Sequence, residues 1–308
     1  MQTDQLACFD PEGRQKPCQG TGQDGDTRAG HPWPEVRFVP SGSLVFDRIS
    51  GLIWPRDAGF IQWPLTWKEA KESVSGLNAE KWQGCSDWML PTRGDLFSLI
   101  SHARINPALP AGHPFENVFP GYYWTATPCR RYPRQSWYVH LGGGRIFRGM
   151  KHGSYLVWPV RQPLNSGRRK ELLSTARPRF QCHETAVLDC LTKLLWLSTV
   201  PFGSGTNTWP AALESVKQLN RQRALGSGDW RLPNIRELES LIDTKAHSPA
   251  IHPGNPLQAL GQAYWSSTTS VYNPAYAWVV YMRNGEVGVG FKAAADFDVL
   301  AVRSADPE

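Results

Sequence analysis

Six cysteines and one arginine-rich, aromatic-laced stretch are the residues of this 308-residue chain whose types and spacing could do chemistry. Cys8 and Cys18 flank the polar run FDPEGRQKP, and Cys182 and Cys190 flank HETAVLD, so each pair could close a short loop as a disulfide. Cys85 and Cys129 could form a third bridge. Spacing alone leaves open the alternative of free thiols in a cytosolic protein. Bridged cysteines would place the protein outside the cytoplasm, in the periplasm, on the cell surface or beyond it. The opening MQTDQLACFD has neither the basic start nor the apolar core of a signal peptide, so export is expected to depend on a signal absent from this sequence. No apolar run approaches the roughly 20 residues that span a bilayer, and membrane insertion is not expected.

The arginine-rich stretch holds Arg130, Arg131, Arg134, Arg145, Arg148 and Lys151, with Tyr132, Tyr138 and Phe147 between them. Guanidinium groups recognise sulfate, phosphate or carboxylate, and aromatic rings stack on sugars or bases, so this stretch is a candidate anion-binding face. Solvated charge around a packed sheet is the plainer alternative. A net charge of +6 and a pI near 9.0 permit attraction to anionic glycans, nucleic acid or a bacterial surface without naming one of them. Nucleic acid is not the expected partner, because an exported protein seldom meets it.

Metal and cofactor chemistry is less well supported. Cys182, His183 and Glu184 are adjacent but lack a second ligand group at zinc-like spacing. Asp24 and Asp26 in GQDGDT have the alternate spacing of a calcium loop without its remaining ligands, and a solvated turn is expected there. Gly142, Gly143 and Gly144 have no helix or P-loop lysine after them, so they read as a hairpin turn rather than a phosphate cradle. No cofactor and no metal are expected.

The elements that position these residues occur twice. Trp54, Trp67, Asn78, Asp87 and Trp88 fall on Trp196, Trp209, Asn220, Asp229 and Trp230 at a constant offset of 142. The offset becomes 141 where Tyr123 and Trp124 meet Tyr264 and Trp265, and returns to 142 where Val160 and Arg161 meet Val302 and Arg303. None of the eight histidines has a histidine counterpart in the other copy, and neither Cys85 nor Cys129 has a cysteine counterpart, so a metal or thiol centre would belong to one copy only. At the place of the arginine-rich stretch the second copy carries Tyr272, Asn273, Tyr276, Tyr281 and Arg283, a set suited to neutral or mixed surfaces.

In each copy a short apolar strand, SGLIW or LLWL, precedes a helix. Thr66 and Glu69 form a capping box, and Trp67, Ala70, Val74 and Leu77 line one helical face, repeated by Trp209, Ala212, Val216 and Leu219. A second helix follows each Asp-Trp-x-Leu-Pro motif, capped by Thr92 with Asp95 and by Asn234 with Glu237. Alternating Trp-rich strands follow, joined by the glycine run in copy one and by Asn284-Gly285, a two-residue hairpin signal, in copy two. Arg161 and Arg303 are expected to pair with a buried acid, for which Asp87 and Asp229 are the candidates, or with strand-end carbonyls, and the duplicated tryptophans to fill the cores. The fold class is α+β, with two short helices and a small twisted antiparallel sheet per copy. The expected organisation is a loop-rich segment over 1–35, repeats over 36–162 and 180–308, and a basic linker over 163–179.

The ordered motifs GLIW, SDW-x-LP, NPALPAGHPF, YYWTAT, a glycine turn and VWPVR resemble the bacterial domain of unknown function 1566. This domain is also called the C-terminal domain of Legionella collagen-like protein. The resemblance implies two tandem C-type lectin-like domains. It also implies export, since CFDPEGRQKPC and GTGQDGD are similar to N-terminal segments common in exported members, and it thereby supports the disulfides. Formylglycine-generating enzymes are distant relatives by fold, and an equivalent oxidase would rest on Cys129 alone. Fold alone does not separate catalysis from binding. The expected function is non-catalytic recognition of a surface polysaccharide or protein, with an anionic ligand for copy one. A structural part of an extracellular assembly, formed by self-association, is the alternative.

Overall fold

The computed structural model describes residues 1–163, 178–198, 205–223, 226–257 and 261–305. Most of the basic linker expected over 163–179 lies outside the described residues. The chain forms two compact units, Pro32–Thr175 and Met1–His31 together with Ala176–Glu308. The N-terminal segment is therefore part of the unit that contains repeat two.

That segment is small and cross-linked. Strands β1 (Cys8–Phe9) and β2 (Gln15–Lys16) pair antiparallel, and the Cys8–Cys18 disulfide closes the loop they frame. A single helical turn, α1 (Asp24–Thr27), follows.

Repeat one begins with an antiparallel sheet of β3 (Phe38–Ser41), β4 (Leu44–Asp47) and β5 (Leu52–Pro55). Helix α2 (Trp67–Ala79) starts at Thr66, whose hydroxyl accepts from the Glu69 amide while the Glu69 carboxylate accepts from the Thr66 amide at 2.9 Å. Helix α3 (Arg93–Leu99) has the same device at Thr92 and Asp95, and buries Leu96, Leu99 and Ile100. Strands β6 (Tyr122–Pro128), β7 (Gln135–His140) and β8 (Ile146–Met150) form an antiparallel meander.

Repeat two follows the same plan. Strands β9 (Phe180–Cys182), β10 (Ala186–Asp189) and β11 (Leu194–Leu197) pair antiparallel. Helices α4 (Trp209–Arg221) and α5 (Ile235–Ser240) precede the meander of β12 (Tyr264–Thr269), β13 (Tyr276–Tyr281) and β14 (Glu286–Phe291). Strand β15 (Val302–Ser304) closes the repeat against β11. The protein is thus two similar α+β halves.

The reason for the duplicated Asp-Trp motif is visible in its bonds. The Asn78 side chain accepts from the Trp88 amide at 2.7 Å and donates to its carbonyl at 2.9 Å, pinning the motif to the end of α2. Asn220 clamps Trp230 in the same way, at 2.9 and 2.6 Å. Asp87 pairs with Arg161 at 2.8 Å and Asp229 with Arg303 at 3.4 Å, tying each motif to its closing strand as expected. Trp54, Trp88, Trp124 and Trp137 and their counterparts Trp196, Trp230, Trp265 and Trp278 are all buried. Trp124 and Trp265 also donate their indole N–H groups to the carbonyls of Leu65 and Asn207, so these two rings are buried without stranding their donors.

The second hairpin differs from expectation. Tyr281 pairs with Glu286, so four residues rather than two connect β13 to β14. Gly285 takes a φ of +78°, and Asn284 uses its side-chain oxygen to accept from the Glu286 amide. A two-residue type I′ turn needs positive φ at both positions, and here only the glycine adopts it. The glycine run of copy one makes the equivalent turn, with Gly144 at φ +87° and its amide on the His140 carbonyl.

Candidate functional site

The β6–β7 connection and the nearby end of β8 gather most of the cations expected in copy one. Arg130, Arg131, Tyr132 and Arg134 are exposed in the connection, and Lys151 is tied to that end because its amide donates to the Arg134 carbonyl at 2.8 Å. Arg148 lies opposite Trp137 on the neighbouring strand, with its guanidinium 5.3 Å from the centroid of Tyr132 and 5.5 Å from that of Trp137. Arg131 approaches Tyr132 at 5.4 Å. Tyr132 is therefore flanked by two guanidinium groups, a geometry that polarises the ring and spaces the two charges. Lys151 and Lys71 both approach Trp67, at 4.3 and 4.5 Å, extending the positive surface.

Three of the expected residues lie elsewhere. Arg145 sits at the β7–β8 turn, separated from the cluster by the six residues of β7, roughly 20 Å of extended chain. Tyr138 and Phe147 face each other across β7 and β8, one residue out of register with Trp137 and Arg148, so the pleat directs them to the opposite face. There Tyr138 packs within 4.9 Å of Tyr122 and 5.0 Å of Tyr155. Alternation along a strand separates residues that look contiguous in sequence.

Copy two presents a different surface. Tyr272 and Asn273 are exposed in the β12–β13 turn, Tyr276 packs on Phe291 at 5.4 Å, Tyr281 leans on the core near Phe297, and Arg283 is exposed at the far turn. The five residues do not form one patch. The N-terminal segment docks beside the first of these turns, and sequence reasoning missed this contact. The Gln5 side-chain amide donates to the Thr269 carbonyl at 2.8 Å and accepts from the Thr269 amide at 2.9 Å. Gly13 approaches Pro274 and Ala275 so closely that an added Cβ would lie 2.8 Å from the Ala275 nitrogen.

Asp24 is the centre of this docking. Its Oδ2 accepts from the hydroxyls of Thr3 and Thr268, both at 2.6 Å, and the residue is 1% exposed. Burial pushes its carboxyl up to about 6, against the opposing pull of the two hydroxyls. The solvated turn expected at Asp24 and Asp26 is thus a buried anchor at the first position. Lys292, the counterpart of Lys151, lies 4.1 Å from the Trp209 centroid. The N-terminal segment adds the Phe9 ring and the Asp10 carbonyl over it, and burial brings its ammonium down to about 7. Lys151 stays partly exposed, whereas Lys292 is fully buried.

The sequence profile of the Lcl C-terminal domain matches residues 43–161 and 185–303. The chain belongs to the Lcl C-terminal domain family. No curated protein matches it. The two matches coincide with the two α+β halves, so the N-terminal segment is an addition to the second Lcl domain.

Two of the three expected disulfides are absent. Cys182 pairs in register with Val187, and the Cys190 amide bonds to the Arg179 carbonyl, which places Cys190 three residues along the strand from Cys182. That is roughly 10 Å of extended chain, beyond the reach of a disulfide. In the first Lcl domain Cys85 is also free, 2.7 Å from Arg161, and Cys129 is free and buried beside Arg148. Another feature went unanticipated: a cavity of about 210 Å³ in the first Lcl domain, walled by Phe60 and Trp82. The one sequence signal for it is a contrast between copies, since Trp82 and Arg56 fall on Ala224 and Ser198. Among the described residues, no helix is long and apolar enough to cross a membrane.

Proposed function

We propose that the protein is an exported, non-catalytic binding protein whose first Lcl domain captures an anionic surface glycan through Arg130, Arg131, Arg134, Arg148 and Lys151, with Tyr132 as a stacking ring. The observation that carries this is the convergence of these cations at one end of a hairpin, where Arg130, Arg131 and Arg134 are exposed. The Cys8–Cys18 disulfide and family membership support an extracellular or cell-surface setting. The second Lcl domain contributes less to anion capture, because its corresponding lysine is covered by the N-terminal segment.

The test is a glycan-array profile of the oxidised protein at low and physiological salt, beside a variant carrying Arg130→Ser, Arg131→Ser and Arg134→Ser. Binding to sulfated or uronate glycans should be saturable, weaken as salt rises, and be lost in the variant. Arg145→Ser, at the far end of β7, should bind as the wild type does. Absence of glycan binding by correctly folded wild type would favour a role in an extracellular assembly instead.

A further inference from the structure

The cavity in the first Lcl domain combines an aromatic wall with a charged rim. Phe60 and Trp82 are stacked, with centroids 4.7 Å apart and planes 8° from parallel, and Trp82 is braced edge-on by Trp88. Arg56, Asp57 and Glu116 supply the rim, with Pro55, Gly42 and Ser43 completing the lining. The rim is held in place by backbone bonds, from the Ala58 amide to the Glu116 carbonyl and from the Glu116 amide to the Arg56 carbonyl. Such a site is formed before any ligand arrives.

Its polar groups have capacity to spare. Asp57 uses Oδ1 for the Gly59 amide and the Asn117 side chain, leaving Oδ2 as an acceptor. Glu116 meets Arg56 through one oxygen at 2.8 Å, and both side chains stay about half exposed. The Arg56 Nε–H is out of solvent and has no acceptor among the described residues. A buried donor of this kind calls for a partner, and a ligand oxygen would provide one.

The backbone around Trp82 is also unusual. Lys81 and Gln83 on either side take φ of +50° and +55°, left-handed conformations that non-glycine residues rarely adopt. The second repeat has alanine at the matching position, so this aromatic is particular to the first repeat. A strained turn that presents to a cavity an aromatic found in only one of two repeats points to a binding role.

We propose that this cavity binds a single neutral pyranose ring. At about 210 Å³ it is smaller than the roughly 300–1,000 Å³ of drug-sized sites, so it takes one ring and not an oligomer. The apolar face of the sugar lies against the outer side of the Phe60–Trp82 stack, its hydroxyls donate to Asp57 and Glu116, and an oxygen accepts from Arg56. Two carboxylates against one guanidinium make the rim net negative and turn away uronates and sulfated sugars. The site is thus complementary in charge to the basic cluster of the same domain, and it does not depend on that cluster's function.

Saturation-transfer NMR on the full oxidised chain tests this, with the methyl glycosides of glucose, galactose, mannose and N-acetylglucosamine as probes and methyl glucuronide as the anionic control. At least one neutral glycoside should give a saturable signal that salt leaves unchanged, and the glucuronide should give none. Trp82→Ala and Glu116→Gln should each weaken binding about tenfold. Arg130→Ser with Arg134→Ser should leave it intact, which separates this site from anion capture. Glu116 is solvent-facing, so its substitution reports on the site even where Trp82→Ala perturbs the fold. No signal from any neutral glycoside, undiminished binding in Glu116→Gln, or loss of binding in the arginine variant would overturn the proposal.

Discussion

Replacing Asp24 by Asn tests whether the N-terminal segment is anchored by a protonatable group. The carboxyl is buried and its affinity for a proton is raised from 3.8 to about 6, a difference of about two units or roughly 3 kcal/mol. Below the unfolded value the side chain is neutral in both folded and unfolded chain, and its contribution is fully present. As pH rises toward 6 the unfolded chain releases a proton that the folded chain still holds, so stability falls, and above 6 the loss is complete. Asparagine keeps an oxygen able to accept from Thr3 and Thr268 but does not ionise. Wild type should therefore lose up to about 3 kcal/mol relative to Asp24→Asn between about pH 4 and pH 7. Hydrogen exchange at the Thr269 amide, which donates to Gln5, reads the docked segment directly. After correction for intrinsic rates, wild-type protection should fall up to about a hundredfold relative to the variant over that range. Lys292 and the histidines are common to both proteins and cancel in the comparison. A difference that stays flat with pH, or that moves the other way, would refute the assignment of a buried, neutral-favouring site.

Arg37 and Asp47 form a fully buried bidentate pair at 2.9 Å, and Arg37 also donates to the Ser98 carbonyl. Arg37→Ala strands the carboxylate and should destabilise the first unit by about 3–5 kcal/mol in urea unfolding. Arg161→Ala removes a less buried partner of Asp87 and should cost about 1–2 kcal/mol by the same measurement; no change would show that the closing strand does not depend on the pair. Reduction of Cys8–Cys18 frees a loop of about 11 residues and should loosen the N-terminal segment by about 3 kcal/mol, seen as faster proteolysis between residues 1 and 31. Before reduction, a thiol titration of the denatured chain should find four reactive groups, at Cys85, Cys129, Cys182 and Cys190.

Much of the fold was legible because its determinants are local and repeated. Thr66 with Glu69 announces a helix start, since both partners lie within one turn and need nothing else in place. The duplicated tryptophans announced two cores because a ring in the same place in both copies answers to packing and not to a ligand. The pairing of Asp87 with Arg161 was legible for the same reason, since both residues recur in the second repeat.

What depended on distant chain was not legible. Cys182 and Cys190 look like a disulfide loop, yet strand register carries them apart. Arg145 looks like a neighbour of Arg134, and the length of β7 removes it to the other end of the hairpin. Asp24 looks like a surface turn until Thr268, 244 residues away, covers it. By itself, then, the sequence determined the two Lcl domains, their helix caps and their aromatic cores, because these rest on short-range bonding and hydrophobic pattern. Only the tertiary structure decided which cations share a face, which cysteines meet and where the N-terminal segment docks, because those depend on through-space distances that strand pairing sets and chain spacing does not encode.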